Sequence, residues 1–117
     1  YKKLSNINAI CFDLETKQEW PLVRESYDVV IVVNYLYRPK IKKLVNLLKK
    51  DGFLFYETFS VGNEKYGSPK DPKFLLKDGE LLNIFGDKLL PLSFYDGRTD
   101  FGKMAIKQRA SFKKGVL

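Results

Sequence analysis

Residues 28–58 read DVVIVVNYLYRPKIKKLVNLLKKDGFLFYET, and this segment carries most of the fold prediction. The opening DVVIVV is a nearly continuous β-branched run without polar alternation, which is typical of a strand covered on both faces, as in a parallel sheet. Pro39 suits the first turn of a helix. The apolar residues behind it recur at helical spacing, at Ile41, Leu44, Val45 and Leu48. Asp51-Gly52 then ends the helix and residues 53–58 form a second strand, so the segment predicts a parallel βαβ unit.

Upstream of this unit, a short apolar run at residues 7–12 is followed by acidic residues at positions 13 and 15. We interpret the run as a buried strand that carries these acids at its carboxyl end, with Cys11 in the core rather than acting as a nucleophile. Residues 16–27 are polar around Trp20 and predict a connection between this strand and the βαβ unit.

Downstream of the unit, residues 59–72 are mostly polar and contain two glycines and two prolines, which predicts a long loop. A loop of this length in a compact domain is more often functional than accidental. Residues 78–86 predict a short helix that Asp78 caps and Gly86 ends.

The last part of the sequence predicts an antiparallel hairpin. Residues 88–95 form a strand that carries Pro91, and proline favours an edge position because it cannot donate to a neighbouring strand. Residues 96–98 predict a turn. The final strand alternates, with apolar residues on one face at Met104, Ile106, Ala110 and Phe112.

The composition indicates one folded domain over residues 1–117, with 44% hydrophobic and 15% aromatic residues. The single cysteine excludes an intrachain disulfide, and the absence of histidine excludes Ser-His-Asp and Cys-His catalysis and the usual histidine-ligated metals, so no metal site is predicted. The longest apolar run, residues 29–33, is far shorter than the roughly 20 residues that span a bilayer. We therefore expect a soluble, cytoplasmic protein without a membrane partner.

Basic residues outnumber acidic ones, 21 Lys and Arg against 14 Asp and Glu, for a formal charge of +7. Such a charge attracts phosphate backbones and anionic surfaces. Most of the bases are scattered lysines without an arginine-rich run or a stacking motif, so we interpret them mainly as a solvated surface and do not favour nucleic acid as a partner. One alternative function stays open: a non-catalytic basic module that binds RNA or a protein partner through the lysines of residues 39–50 and of the final strand.

Seven short motifs occur in order along residues 9–110. They are Asp13-Leu14-Glu15, Trp20-Pro21-Leu22, Tyr27-Asp28-Val29-Val30, Asn34-Tyr35-Leu36-Tyr37-Arg38-Pro39, Tyr56-Glu57-Thr58-Phe59, Gly62-Asn63-Glu64 and Gly79-Glu80-Leu81-Leu82. Their order and spacing resemble the carboxyl-terminal half of class I S-adenosylmethionine-dependent methyltransferases, in particular a bacterial group similar to tellurite-resistance methyltransferases. The resemblance implies a partial Rossmann-like α/β fold, S-adenosylmethionine as cofactor and a small molecule as methyl acceptor.

The sequence also departs from this family. The family's glycine-rich turn after the first strand, and the acidic residue at its second strand, have no counterpart here. Residues 62–68 have the glycine spacing of a phosphate-binding loop but lack its lysine. The family's strand order would place two further strands between residues 7–12 and 28–33. The resemblance therefore implies an inactive fragment until a second chain or the missing segment completes the sheet. A different Rossmann-like nucleotide enzyme would need the same absent turn.

The resemblance also assigns contacts to the cofactor. Asp13 would accept a hydrogen bond from the adenine amino group, and the Leu14 backbone amide would meet the adenine ring. Asn34 and Tyr35 would line the methionine end of the cofactor, and Tyr37 would line the substrate mouth. The alternatives are a helix cap or a solvated turn for Asp13, and packing on the sheet for the two tyrosines.

Four further residues are candidates for binding the methyl acceptor. Glu57 and Thr58 end the second strand of the βαβ unit and would line the pocket; for Glu57, pairing with a lysine is the alternative to acting as a general base. Arg38 would hold a carboxylate or phosphate, unless it forms a surface salt bridge. Tyr66 lies in the long loop and would belong to a lid, together with Lys65. No catalytic residue is assigned.

Overall fold

A mixed four-stranded sheet organises the chain in its computed structural model, which describes residues 5–100 and 102–115. The strands are β1 (Tyr27–Val33), β2 (Leu48–Phe59), β3 (Leu90–Thr99) and β4 (Ala105–Lys113). They lie in the order β1-β2-β4-β3, with β1 parallel to β2 and β4 antiparallel to both of its neighbours. The predicted fold class, a parallel α/β unit followed by an antiparallel hairpin, is confirmed. The strand with Pro91 lies at an edge, as predicted.

One face of this sheet is covered by short helical segments. These are α1 (Lys43–Leu47), α2 (Glu80–Phe85) and the 3-10 turns Arg38–Lys40, Asn63–Lys65 and Pro72–Phe74. The two α-helices pack over a core whose largest buried side chains are Tyr56, Phe85 and Phe112. Within the described ranges, no helix is long and apolar enough to cross a bilayer.

The opposite face of β1 and β2 presents apolar side chains to solvent. They are Val29, Ile31, Val33 and Phe55, of which Ile31 is the most exposed at 67%. Because side chains alternate along a strand, these residues point away from the core on the helical side. The β-branched run predicted a strand covered on both faces, whereas residues 5–100 and 102–115 cover only one. We call this opposite side the uncovered face.

The predicted strand at residues 7–12 is wrong. This segment has no regular secondary structure, Ile7 and Ile10 are about half exposed, and Cys11 is exposed rather than in the core. A strand needs a neighbour for its backbone hydrogen bonds. In the described residues, the outer edge of β1 is unpaired and the segment finds no other strand, so its apolar composition alone does not order it.

The predicted helix is also shorter than its periodicity indicates. It ends at Leu47, and β2 begins at Leu48, which pairs opposite Tyr27. The Lys114 ammonium donates to the carbonyls of Val45 and Leu48 at 3.0 and 2.8 Å, so a residue beyond β4 satisfies the helix end. Asp51, not the following glycine, takes the left-handed conformation, with φ at 68°.

The amino end of α2 is capped differently from the prediction. Gly79, rather than Asp78, is the capping residue, and its φ of 66° suits glycine. The free amide of Leu81 donates instead to the Gln108 Oε1 in β4 at 3.1 Å. The expected turn at residues 96–98 belongs to β3, where Asp96 pairs opposite Gln108, so the reversal of the hairpin follows Thr99.

Gln108 ties these elements together on the covered face. Its side chain is fully buried, and its Nε2 donates to the Lys77 carbonyl at 2.7 Å and to the Asp96 Oδ2 at 3.2 Å. The other oxygen of Asp96 accepts from the Ser60 hydroxyl at 3.0 Å. The network joins β4, β3, the start of α2 and the end of β2. Because side chains alternate along a strand, Lys107 and Arg109 then project from the uncovered face.

We predict that Gln108→Leu lowers the free energy of unfolding by about 2–4 kcal/mol, because the change leaves the Leu81 amide and the Asp96 carboxylate without their buried partner. Urea denaturation followed by far-ultraviolet circular dichroism measures this loss. Gln18→Leu, at an exposed position, is the matched control and should change stability by less than about 0.5 kcal/mol. Equal effects of the two substitutions would contradict the role of the network.

Candidate functional site

The carboxyl ends of β1 and β2 meet at one rim of the sheet. The Asn34 amide donates to the Glu57 carbonyl at 2.8 Å, and Asn34 has a left-handed φ of 54°, which asparagine tolerates better than most residues. The Asn34 Oδ1 accepts from the Lys107 ammonium at 2.9 Å. Ligands of open α/β sheets bind beyond the carboxyl ends of the strands. This rim is therefore the candidate functional site.

An apolar cavity of about 310 Å³ opens between β1, α1 and residues 14–22. Its walls include Leu14, Trp20, Leu22, Tyr35, Tyr37 and Ile41. The Trp20 indole nitrogen donates to the Leu14 carbonyl at 3.2 Å and holds this wall in place. The cavity thus brings together three residues that the resemblance predicts, Leu14, Tyr35 and Tyr37. Its volume lies in the range of small-molecule binding sites.

The Tyr35 hydroxyl is the one buried side-chain nitrogen or oxygen atom in residues 5–100 and 102–115 that has no hydrogen-bond partner. Burial raises the pKa of Tyr35, and the nearby carboxylates of Glu15 and Asp13 raise it further, so the hydroxyl stays protonated. The Tyr35 carbonyl accepts from the hydroxyl of Tyr56, whose pKa burial also raises. An unpaired buried hydroxyl costs free energy, which a ligand with an acceptor would recover.

Asp13 lies beside this cavity in an exposed turn. Its Oδ1 accepts from the Glu15 amide at 3.0 Å, which is the solvated-turn arrangement considered as the alternative. The second carboxylate oxygen is not used in that contact. The role of Asp13 in holding adenine stays a prediction.

The side chains of the last residues of β2 point to opposite faces of the sheet. Glu57 faces the uncovered side, where its Oε1 accepts from the Arg109 Nε and Nη2 at 3.0 and 2.7 Å. A cavity of about 620 Å³ lies there against β1, β2 and β4. Thr58 faces the covered side and is only 2% exposed. Alternation along the strand separates the two residues that the sequence placed at one pocket, and their binding roles stay predictions.

Arg38 is engaged within the fold. Its Nε and Nη2 donate to the two Glu80 carboxylate oxygens at 2.7 and 2.8 Å. Its remaining hydrogen bonds go to the carbonyls of Lys73 and Leu75 at 3.0 and 2.8 Å. The bidentate pair holds the pKa of the Glu80 carboxyl below its ordinary range. Arg38 thereby fastens the long loop and α2 to the segment after β1, and its role in binding substrate stays a prediction.

The long loop closes the other side of the rim. Tyr66 is exposed and lines a cavity of about 200 Å³ together with Phe59, Lys103 and Lys107. The sequence analysis did not assign these two lysines or Trp20 to the cofactor or acceptor site; Lys107 entered only through the alternative basic module, as a lysine of the final strand. The alternation of the final strand already places Lys107 on the face opposite its apolar residues, so its exposure could be predicted. Its approach to the rim depended on the antiparallel pairing of β4 with β2.

No protein-family model matches the chain, and no curated protein matches it. Solved structures match its fold. A SAM-dependent methyltransferase from Methanosarcina mazei aligns with a TM-score of 0.63 and 14% identity, over 85% of this chain and 64% of that one. TehB from Haemophilus influenzae aligns with a TM-score of 0.58 and 11% identity, over 79% of this chain and 37% of that one.

A third similar structure comes from work on the conversion of a disulfide bond into a thioacetal group during echinomycin biosynthesis. It aligns with a TM-score of 0.57 and 10% identity, over 79% of this chain and 50% of its own. At these identities the similarity shows the fold alone. The chain has the α/β fold of a methyltransferase in part, and it spans less than two thirds of each of the three structures.

We predict that the ion pair of Arg38 and Glu80 makes stability depend on pH. Because the folded pKa of Glu80 lies below the ordinary 4.5, its contribution is present above that pH and is lost as the pH falls through the folded pKa. Urea midpoints at pH 7 and pH 3 measure the loss. In Glu80→Gln the drop between these two pH values should be smaller than in the unmodified chain.

Glu19→Gln is the matched control for this pH dependence, because the Glu19 side chain is 89% exposed and forms only a long contact of 3.4 Å with Lys43. It should leave the drop unchanged. If Glu80→Gln retains the full drop, the partly buried ion pair of Arg38 and Glu80 does not contribute to the pH dependence.

Proposed function

We propose that this chain is the carboxyl-terminal part of an S-adenosylmethionine-dependent methyltransferase that acts on a small molecule. The observation that carries the proposal is that Tyr35, which lines the aromatic-walled cavity beside β1, has a buried hydroxyl without a partner in the described residues. A SAM-dependent methyltransferase is among the structures with this fold, and TehB supports placement near the tellurite-resistance group. Methyl transfer needs chiefly positioning and a dry pocket, which suits a chain without histidine.

The residues around the cavity suit the adenosine part of the cofactor. Leu14, Trp20 and Tyr37 supply apolar and aromatic walls for a purine ring. The Tyr35 hydroxyl would supply a donor, and the carboxylate of Asp13, which precedes the wall residue Leu14 and raises the pKa of Tyr35, would supply an acceptor. Bound S-adenosylmethionine would provide a methyl group on a positively charged sulfur. The chain would contribute orientation of the cofactor and exclusion of water, with Asn34 at the rim towards its methionine end.

A second part of the proposal is that further chain, or a second chain, completes this site. The outer edge of β1 is unpaired in the described residues, and the uncovered face beside it exposes Val29, Ile31 and Val33. A parallel strand beside β1, with a helix over this face, would pair that edge and bury these side chains, as in doubly covered sheets. The greater length of all three similar structures supports this. By itself, the chain would then be inactive.

The location proposed is the cytoplasm. The single cysteine, Cys11, is exposed and without a disulfide partner in the chain, which suits a reducing compartment.

The alternative, a basic module that binds RNA or protein, has less support. Three lysines of residues 39–50 have intramolecular partners: Lys40 donates to the Gln18 carbonyl at 2.8 Å, while Lys43 and Lys49 approach carboxylates at 3.4 and 3.6 Å. Lys114 caps α1. These contacts engage four of the basic residues within the fold.

We predict that S-adenosylhomocysteine binds to the chain once the further segment or second chain proposed above completes the sheet, and that Tyr35→Phe weakens this binding about fivefold through loss of one hydrogen bond. Asp13→Ala should weaken it by a similar factor. Isothermal titration calorimetry measures both. Tyr27→Phe, which removes a hydroxyl at the other end of β1, is the control and should bind as the unmodified chain does. Absence of binding to the completed protein would overturn the assignment.

We predict that Ile31→Lys abolishes completion of the site without unfolding this chain. The side chain is 67% exposed here, so the change should cost less than about 1 kcal/mol by urea denaturation. It should prevent the completing segment, supplied as a separate polypeptide, from binding to the chain, because a charge would be buried at the new contact. Val23→Lys, equally exposed at 67% but outside the sheet, is the control. Normal binding by Ile31→Lys would show that the uncovered face is not the docking surface.

A further inference from the structure

Two lysine ammonium groups lie where the two rim cavities meet. Lys103 and Lys107 line both the cavity of about 620 Å³ on the uncovered face and the cavity of about 200 Å³ under the long loop. Among residues 5–100 and 102–115, these two alone line both cavities. The two lysines therefore border both cavities, and we call the region around them the passage.

The strand pairing explains why these cations reach the rim. Because β4 runs antiparallel to β2, its first residues lie beside the last residues of β2, with Lys107 opposite Phe59. The turn after β3, which contains Lys103, lies at the same end of the sheet. A methyl acceptor that approaches the carboxyl ends of β1 and β2 would meet these two side chains.

The cations are not neutralised by neighbouring carboxylates. Glu57 pairs with Arg109 at 2.7 Å, and Asp100 pairs with Arg98 at 3.4 Å. In the part of the chain that the structure describes, no carboxylate lies within 4.0 Å of the Lys103 or Lys107 ammonium group. The passage consequently has an excess of positive charge.

Lys107 is held in position before any ligand arrives. Its ammonium donates to the Asn34 Oδ1 at 2.9 Å and lies 4.8 Å from the centroid of the Phe59 ring. It uses a neutral acceptor and an aromatic face, so two of its three hydrogens remain for a ligand. The Lys103 ammonium lies against Gly67, where an added Cβ would come within 3.3 Å of it. The Lys103 ammonium thus lies beside the long loop, and the Lys107 ammonium lies beside the ends of β1 and β2.

We propose that Lys103 and Lys107 bind an anionic group, a carboxylate or a phosphate, on the methyl acceptor. The inference rests on the proposed function and adds the chemical class of the substrate. Phe59 and Tyr66 line the same loop cavity and provide apolar surface for the body of such a molecule. Two cations at a site with apolar walls favour a small acid over a neutral or basic acceptor.

Nuclear magnetic resonance titration of this chain with benzoate tests the proposal directly, because it needs no cofactor. Benzoate should shift the backbone amides of Gly67 and Lys107 saturably at low ionic strength. Benzamide, its neutral isostere, should bind at least about fivefold more weakly. Inorganic phosphate should compete with benzoate, and the tighter of the two anions identifies the preferred head group.

Lys107→Gln and Lys103→Gln should each weaken benzoate binding about fivefold, because each removes a charge while keeping a hydrogen-bonding side chain. Lys50→Gln is the matched control: it removes the same charge at the opposite end of β2 and should bind within about twofold of the unmodified chain. Equal affinity for benzamide, or no effect of the two rim substitutions, would overturn the proposal. The proposal would also be overturned if the chain binds oligouridylate and if Lys103→Gln, Lys107→Gln and Lys50→Gln weaken that binding equally. Such a result would indicate a general basic surface.

The two proposals fail in different ways. Charge-dependent benzoate binding without S-adenosylhomocysteine binding to the completed protein would retain the anion site and overturn the methyltransferase assignment. S-adenosylhomocysteine binding together with charge-independent benzoate binding would retain the methyltransferase and overturn the anionic acceptor.

Discussion

The buried amide of Gln108 is the interaction on which the arrangement of the sheet depends. It joins the loop before α2, the first turn of α2 and the Asp96 carboxylate, all on the covered face. Since side chains alternate, a shift of β4 by one residue would bring the charge of Lys107 or Arg109 into the apolar core. The register chosen by one neutral amide therefore decides which charges reach the rim, and the candidate acceptor site follows from it.

The two faces of the sheet serve different purposes. On the covered face, Tyr56, Phe85 and Phe112 form a core that α1 and α2 close. On the uncovered face, exposed β-branched residues of β1 lie next to the ion pair of Glu57 and Arg109. An apolar patch at an unpaired strand edge is costly to leave in water. We therefore attribute the apolar patch to completion of the sheet. We attribute Lys103 and Lys107, at the carboxyl ends of β1 and β2, to recognition of a ligand.

The accuracy of the sequence predictions depended on where each residue finds its partner. The runs at β1 and β2 were recognised because a β-branched or aromatic pattern is local to the strand. Residues 7–12 have a similar local pattern but no strand beside them in the described chain, so the prediction failed. The end of α1 was placed too late because the residue that satisfies its carbonyls, Lys114, lies far along the chain. The candidate cofactor residues Leu14, Tyr35 and Tyr37 do meet at one cavity, whereas Glu57 and Thr58 separate.

By itself, the sequence determined the class of fold, the edge position of the strand with Pro91 and the segments that form the rim, because hydrophobic periodicity and proline act within a few residues. The same local information excluded histidine chemistry and a disulfide. Only the tertiary structure decided that the Tyr35 hydroxyl is buried without a partner and that Arg38 is used within the fold. It also decided that Lys103 and Lys107 meet at the rim. These features arise between elements distant in sequence, where antiparallel pairing and strand alternation, not local preference, determine which side chains come together.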